Sequence, residues 1–236
     1  MPSLDPEYVK ERLSSPPFVI VDGVNNIRSL GNYPVSVLGI TNSTKEGYIL
    51  RAAAPSTITP TGIKQLEQLD EDYGPESLTL RSKSYKSTDP SDIAQVYVDI
   101  IESGTKAFQS VFRHIQDYPN KGFLFHCAGG KDRTGVLAAL ILKVAGVKNE
   151  LIVEEYALTN IGEAPTRQSA INNLKDLPDF VGNMEGLLRS LDTRPGVMEA
   201  FLKILDDKYQ GIEGYMRNYL GFTDEDIDII RKNLLN

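Results

Sequence analysis

At 236 residues the chain is long enough for one sizeable domain with a buried core, and 41% hydrophobic with 24% charged residues reads as a globular protein. The net charge of −7 argues against non-specific coating of nucleic acid, so any anion binding must come from a local site. A single cysteine rules out an intramolecular disulfide framework and a multi-cysteine zinc site, and two histidines, His114 and His126, argue against a histidine-rich metal centre.

The opening stretch, MPSLDPEYVKERL, has no apolar core of signal-peptide length, and no run approaches a membrane span. The expected compartment is cytoplasmic, where a free thiolate survives, with no integral membrane association. Helix starts are marked where a capping side chain precedes a proline: Asp5-Pro6, Thr59-Pro60 and Asp89-Pro90. The spacing predicts strands at 18–22 (FVIVD), 34–40 (PVSVLGI), 47–53 (GYILRAA), 76–82 (ESLTLRS) and 122–127 (GFLFHC). Asn25-Asn26 and Gly31-Asn32 read as turns. One long helix is predicted from about 91 to 117, with apolar Ile93, Val96, Ile100, Ile101, Phe108 and Phe112. Beyond residue 134 nearly everything reads as helix, and 161–195, with scattered Gly and Pro, as a mobile helical insert. Thr223 with Asp226 forms a capping-box pattern before a last amphipathic helix. Together these predict a single domain over 1–236: an α/β fold with a central sheet flanked by helices and a largely helical C-terminal half.

One stretch carries chemistry. At 122–145 an apolar strand empties into Cys127-Ala128-Gly129-Gly130-Lys131-Asp132-Arg133, and a buried helix follows. A short glycine-rich loop can turn successive backbone N–H groups inward as an anion nest, and the following helix adds its N-terminal dipole. Arg133 can grip two phosphate oxygens at once, and Cys127 then lies beneath the phosphorus. A thiol in such a field favours its nucleophilic thiolate. Phosphoryl transfer asks mainly for positioning and charge stabilisation, which this loop supplies without a metal or other cofactor.

The His126-Cys127-(five residues)-Arg133-Thr134 pattern resembles the Cys-X5-Arg signature of the protein tyrosine phosphatase superfamily. With Lys131-Asp132 before the arginine it is most similar to the atypical tyrosine phosphatases, a bacterial and fungal group of tyrosine and lipid phosphatases. The segments NIRSLGNYP (26–34), ILRAAAPSTITPTGIKQL (49–66), EEYALTNIGEAPTR (154–167) and two C-terminal helices resemble further parts of that group, so the likeness covers most of the chain. It implies a cysteine-phosphatase fold and a phosphorylated protein or phosphoinositide as substrate. Cys127 would be the nucleophile, with Arg133 and the amides of residues 128–133 as the phosphate cradle. His126 would help hold the loop, and Thr134 would hydrogen-bond the sulfur. The loop aspartate, Asp132, is the group's usual general acid, with Asp89 and Asp92 as fallbacks in this sequence. Lys131 implies tolerance of phosphoinositides. One departure is that Thr79, in TLRS (79–82), stands where the group usually carries an aspartate, and the stretch after it is short.

Blander roles compete at several positions. Arg28 and Arg51 read as holders of loops or ion pairs, His114 as a surface or satisfied residue, and Gly135 as a packing glycine. Against the phosphatase stand two other readings. A pseudophosphatase would bind phosphorylated partners without turnover, and a rhodanese-like sulfurtransferase would use the cysteine but need no arginine six residues on.

Overall fold

The computed structural model describes residues 4–37, 40–67, 89–177 and 180–236. Helix α1 (Pro6–Leu13) is followed by four short strands, β1 (Arg28–Ser29), β2 (Pro34–Val37), β3 (Ile40–Ser43) and β4 (Ile49–Ala52), then by α2 (Pro60–Glu67). Next come α3 (Pro90–Ser103), α4 (Thr105–Asp117), β5 (Phe123–His126) and α5 (Asp132–Ala145). The remainder is helical: α6 (Asn149–Ala157), α7 (Thr159–Gly162), a short 3-10 turn (Ala164–Thr166), α8 (Arg167–Leu174), α9 (Met184–Leu191), α10 (Pro195–Tyr209), α11 (Gly211–Leu220) and α12 (Asp224–Leu234). The architecture is mixed α/β, with a small central sheet and a largely helical C-terminal half.

The marked helix starts are where the sequence puts them. Asp5 and Asp89 each accept the backbone N–H two residues on, at 2.9 Å, with proline first in the helix. Thr59 accepts from the N–H of Gly62 at 3.0 Å, and Thr223 and Asp226 close a reciprocal capping box.

Three expected elements are corrected. Residues 18–22 form no strand; their β-type pairing is limited to two isolated bridges, Phe18 to Arg28 and Val21 to Val24. Gly23, at φ +79°, turns the chain back at once, and β1 is only two residues long, so no continuous ladder can form beside it. The expected strand at 34–40 folds on itself, with β2 and β3 paired antiparallel from Pro34 opposite Ser43 to Val37 opposite Ile40. The expected helix at 91–117 breaks at Gly104, where a Cβ would lie 2.8 Å from the Ile100 carbonyl oxygen and 2.9 Å from the Phe108 ring. That missing Cβ lets the Phe108 ring close over the joint. The expected strand at 76–82, with Thr79, lies outside the described residues.

The sheet order is β1-β4-β5, antiparallel then parallel. Parallel pairing of β4 with β5 sets Ala52 beside His126, so the end of β4 runs alongside the loop that begins at Cys127. Helix α5 is buried on nearly every face: Val136, Ala138, Leu140, Leu142, Val144 and Ala145 are inaccessible. Packed by α3, α6, α11 and α12, it fixes the C-terminal side of the same loop as firmly as β5 fixes the other. Among the described residues no helix is long and apolar enough to cross a membrane.

Candidate active site

The loop between β5 and α5 is gripped from behind. The carbonyl of Ala128 accepts from the Ala54 N–H at 3.0 Å, that of Gly129 from Asn26 Nδ2 at 3.1 Å, and that of Gly130 from Arg51 Nη2 at 2.7 Å and Asn26 Nδ2 at 3.3 Å. In a trans peptide the N–H opposes the C=O, so the amides of Gly129, Gly130 and Lys131 are turned the other way. Gly130 is left-handed (φ +64°) and Lys131 right-handed (φ −99°), the alternation from which anion nests are made. Gly130 must also lack a Cβ, which would fall 2.5 Å from the Ala52 carbonyl oxygen.

Behind the loop lies a buried ion network. Arg28 and Arg51 stand directly opposite on neighbouring strands, an arrangement that like charges alone would destabilise. Glu155 of α6 resolves it, one oxygen on Arg28 Nε at 2.7 Å and the other on Arg51 Nη1 at 2.6 Å, all three residues being almost wholly buried. Arg28 also donates to the Glu155 carbonyl (3.2 Å), to Thr159 Oγ1 (3.0 Å) and to the Asn26 side chain. Burial, then the Arg51 charge, pull the Arg28 guanidinium down to about 10, which leaves it charged at neutral pH. Asn26, itself left-handed at φ +55°, passes this fixed geometry to the loop carbonyls.

On the open side, Cys127 is half-buried with a free thiol. Arg133 is half-buried and makes no ion pair or hydrogen bond among the described residues. The Thr134 hydroxyl is buried and has no hydrogen-bond partner there either. His126 Nδ1 lies 3.3 Å from the Cys127 carbonyl oxygen. Asp132 is the first residue of α5; its Oδ1 accepts from the Tyr97 hydroxyl at 2.7 Å and lies 3.1 Å from Lys131 Nζ. Cradle, unpaired guanidinium, thiol and carboxylate therefore occupy one strand-to-helix loop.

Residues 70–236 match the Tyrosine phosphatase family. The chain belongs to that family. Curated relatives are similar to it over shorter stretches. A tyrosine-protein phosphatase of Nostoc commune is 30% identical over 151 residues, which is 61% of this chain and 50% of the relative. A putative tyrosine-protein phosphatase of Cupriavidus necator is 31% identical over 126 residues, 53% of this chain and 44% of the relative. The triple specificity protein phosphatase PtpB of Mycobacterium tuberculosis is 28% identical over 121 residues, 48% of this chain and 43% of the relative. The match thus spans half or less of each relative's length.

Within this tyrosine phosphatase family member the sequence-derived loop residues, 126 to 134, are contiguous in space as in sequence. Arg28 and Arg51 hold the loop, as their blander reading had it, and His114 is satisfied by the Lys121 carbonyl at 3.1 Å. Gly135 packs against the Tyr156 ring, which a Cβ would approach to 3.1 Å. Lys131 is drawn onto Asp132, with its side chain only 12% exposed. Asp89 is spent on capping α3, where the Ser91 N–H holds its carboxyl below the usual carboxylate range; Asp92 is exposed in the same first turn. Among the described residues no group of three or more His, Cys, Asp or Glu is placed to hold a metal ion. Sequence reasoning missed Asn26, Glu155, Tyr97 and Tyr156. Asn26 reads locally as a turn residue, and the others sit in helices whose apolar spacing is what shows in one dimension.

Proposed function

We propose that this chain is a metal-independent phosphatase that hydrolyses phosphate monoesters, phosphotyrosine foremost, through a phosphocysteine, on a cysteine-phosphatase fold. The observation that carries this reading is Arg133, unpaired among the described residues, in a loop whose carbonyls at 128, 129 and 130 are bound from behind. A phosphoryl group seated on the amides of 128–133 would meet Cys127 Sγ from below and the Arg133 fork from the side. Sγ attacks phosphorus as the ester P–O bond breaks, and Asp132 protonates the leaving oxygen. Water then attacks phosphorus and passes a proton to Asp132, while the S–P bond breaks and the thiolate returns. Thr134, with a buried hydroxyl free to turn, eases that departure by donating to the sulfur, and His126 steadies the loop through the Cys127 carbonyl.

The substrate class follows the relatives' names, tyrosine-protein phosphatase in two cases; a triple specificity relative supports testing phosphoserine, phosphothreonine and phosphoinositides as well. The experiment is hydrolysis of p-nitrophenyl phosphate in EDTA, run beside Cys127→Ser. Activity in EDTA that vanishes in the variant is the expected result. Turnover that survives the substitution would sink the mechanism, and phosphopeptide binding with no turnover from pH 5 to 8 would favour the pseudophosphatase, which Thr79 motivates.

A further inference from the structure

Asp132 is held by one oxygen only. Oδ1 receives the Tyr97 hydroxyl and the Lys131 ammonium, and among the described residues no hydrogen bond reaches Oδ2. Tyr97, on α3, is inaccessible, and its hydroxyl also lies 2.7 Å from that of Tyr156, on α6. A phenol has one proton to give. Since Tyr97 gives its proton to the carboxylate, Tyr156 must donate to Tyr97, and the chain runs Tyr156 to Tyr97 to Asp132. Burial first, and then the Asp132 charge, raise the Tyr156 phenol well above its ordinary value, so it stays a donor.

Both rings are immobilised. Tyr97 meets Tyr156 edge-on at 6.2 Å and Phe201 of α10 edge-on at 5.9 Å. Tyr156 closes on α5 because Gly135, three residues after Asp132, has no side chain to hold it off. The hydroxyl chain is thus a fixed strut from the helical core to one oxygen of a partly buried carboxyl.

We propose that Tyr97, braced by Tyr156, is a positioning residue that occupies Oδ1 of Asp132 and thereby reserves Oδ2 as the oxygen that exchanges the proton with the leaving group and with water. This rests on Asp132 as the general acid, as read above. In the first step the Oδ2 proton passes to the leaving oxygen as the P–O bonding pair moves there, leaving the carboxylate; in the second, a proton of the attacking water returns to Oδ2. A carboxyl free to rotate would present either oxygen, and the productive orientation would be held for only part of the time.

The test is kcat/KM for the wild type, Tyr97→Phe, Asp132→Asn and the double variant. Two substrates are used: phenyl phosphate, whose leaving group needs a proton, and p-nitrophenyl phosphate, whose leaving group needs one far less. Tyr97→Phe is expected to lose about tenfold on phenyl phosphate and about twofold or less on p-nitrophenyl phosphate. The double variant should be no slower than Asp132→Asn. Tyr156→Phe, which leaves the Tyr97 hydroxyl unbraced, should show the same leaving-group dependence with a smaller loss, and it carries the test if Tyr97→Phe does not fold. Equal losses on both substrates in the tyrosine variants, beside a leaving-group-dependent loss in Asp132→Asn, overturn the positioning role and leave the acid in place. A loss in Asp132→Asn that is the same for both substrates overturns the acid and the strut together. Neither result touches Cys127, whose role is read separately from Cys127→Ser.

Discussion

Among the described residues Arg133 makes no ion pair with any carboxylate. A guanidinium held half-buried and unpaired invites an anion, and its planar fork matches two phosphate oxygens where an ammonium is a point charge. Arg133→Lys should therefore lower kcat/KM about 100-fold or more with folding intact; a loss of only a few-fold would show that charge alone suffices. Glu163, just after α7, is the opposite case. Among the described residues its buried Oε1 has no hydrogen-bond partner, and burial drives the carboxyl from 4.5 up to about 7, against the Thr166 hydroxyl and the Arg28 charge. The folded state then keeps a proton that the unfolded chain has already released. Stability contributed at this site falls as pH rises from about 4.5 to about 7, and levels off above. The melting temperature of Glu163→Gln, measured against wild type from pH 4.5 to 8, should gain on it through that window; parallel curves would refute the assignment.

At the scale of elements, the loop is a joint between β5 and α5, and Gly130 is its tightest point. A methyl there meets the Ala52 carbonyl oxygen at 2.5 Å and asks a non-glycine residue to hold φ +64°. Gly130→Ala should lower kcat/KM by about 100-fold or more while the circular dichroism spectrum is retained, because the misplaced amides no longer converge. Unchanged turnover would mean that the nest does not bind the phosphoryl group. The elements read correctly from sequence were those with local causes. Asp5, Asp89 and Thr223 cap their own helices, and the long apolar run after Thr134 can only be buried helix. The misread ones were decided by neighbours. FVIVD has the composition of a strand, yet β1 offers it only two residues, and Ile20 ends 67% exposed. The helix break at Gly104 depends on where the Phe108 ring packs, which periodicity does not record.

Over the whole molecule, Arg28 from β1, Arg51 from β4 and Glu155 from α6 lock the sheet to the helical half, and through Asn26 and Gly130 to the loop. Removing the shared carboxylate leaves two buried cations facing each other. Glu155→Gln should cost about 3–5 kcal/mol of unfolding free energy, as breaking a buried pair does. Urea denaturation measures it, and a loss below about 1 kcal/mol would show that the two arginines relax to other partners.

The chain by itself determined the candidate loop, because cysteine, glycines, aspartate and arginine lie within seven consecutive residues between a strand and a helix, and local sequence dictates local backbone. It also determined that a helical half would follow. Only the tertiary structure decided what makes that loop rigid and which oxygen of Asp132 the Tyr97 hydroxyl takes. Asn26 and Arg51 meet Gly130 across 104 and 79 residues, and Tyr97 meets Asp132 across 35. Such contacts are selected by burial and by the need to satisfy every buried polar group, and neither is written in the spacing of one segment.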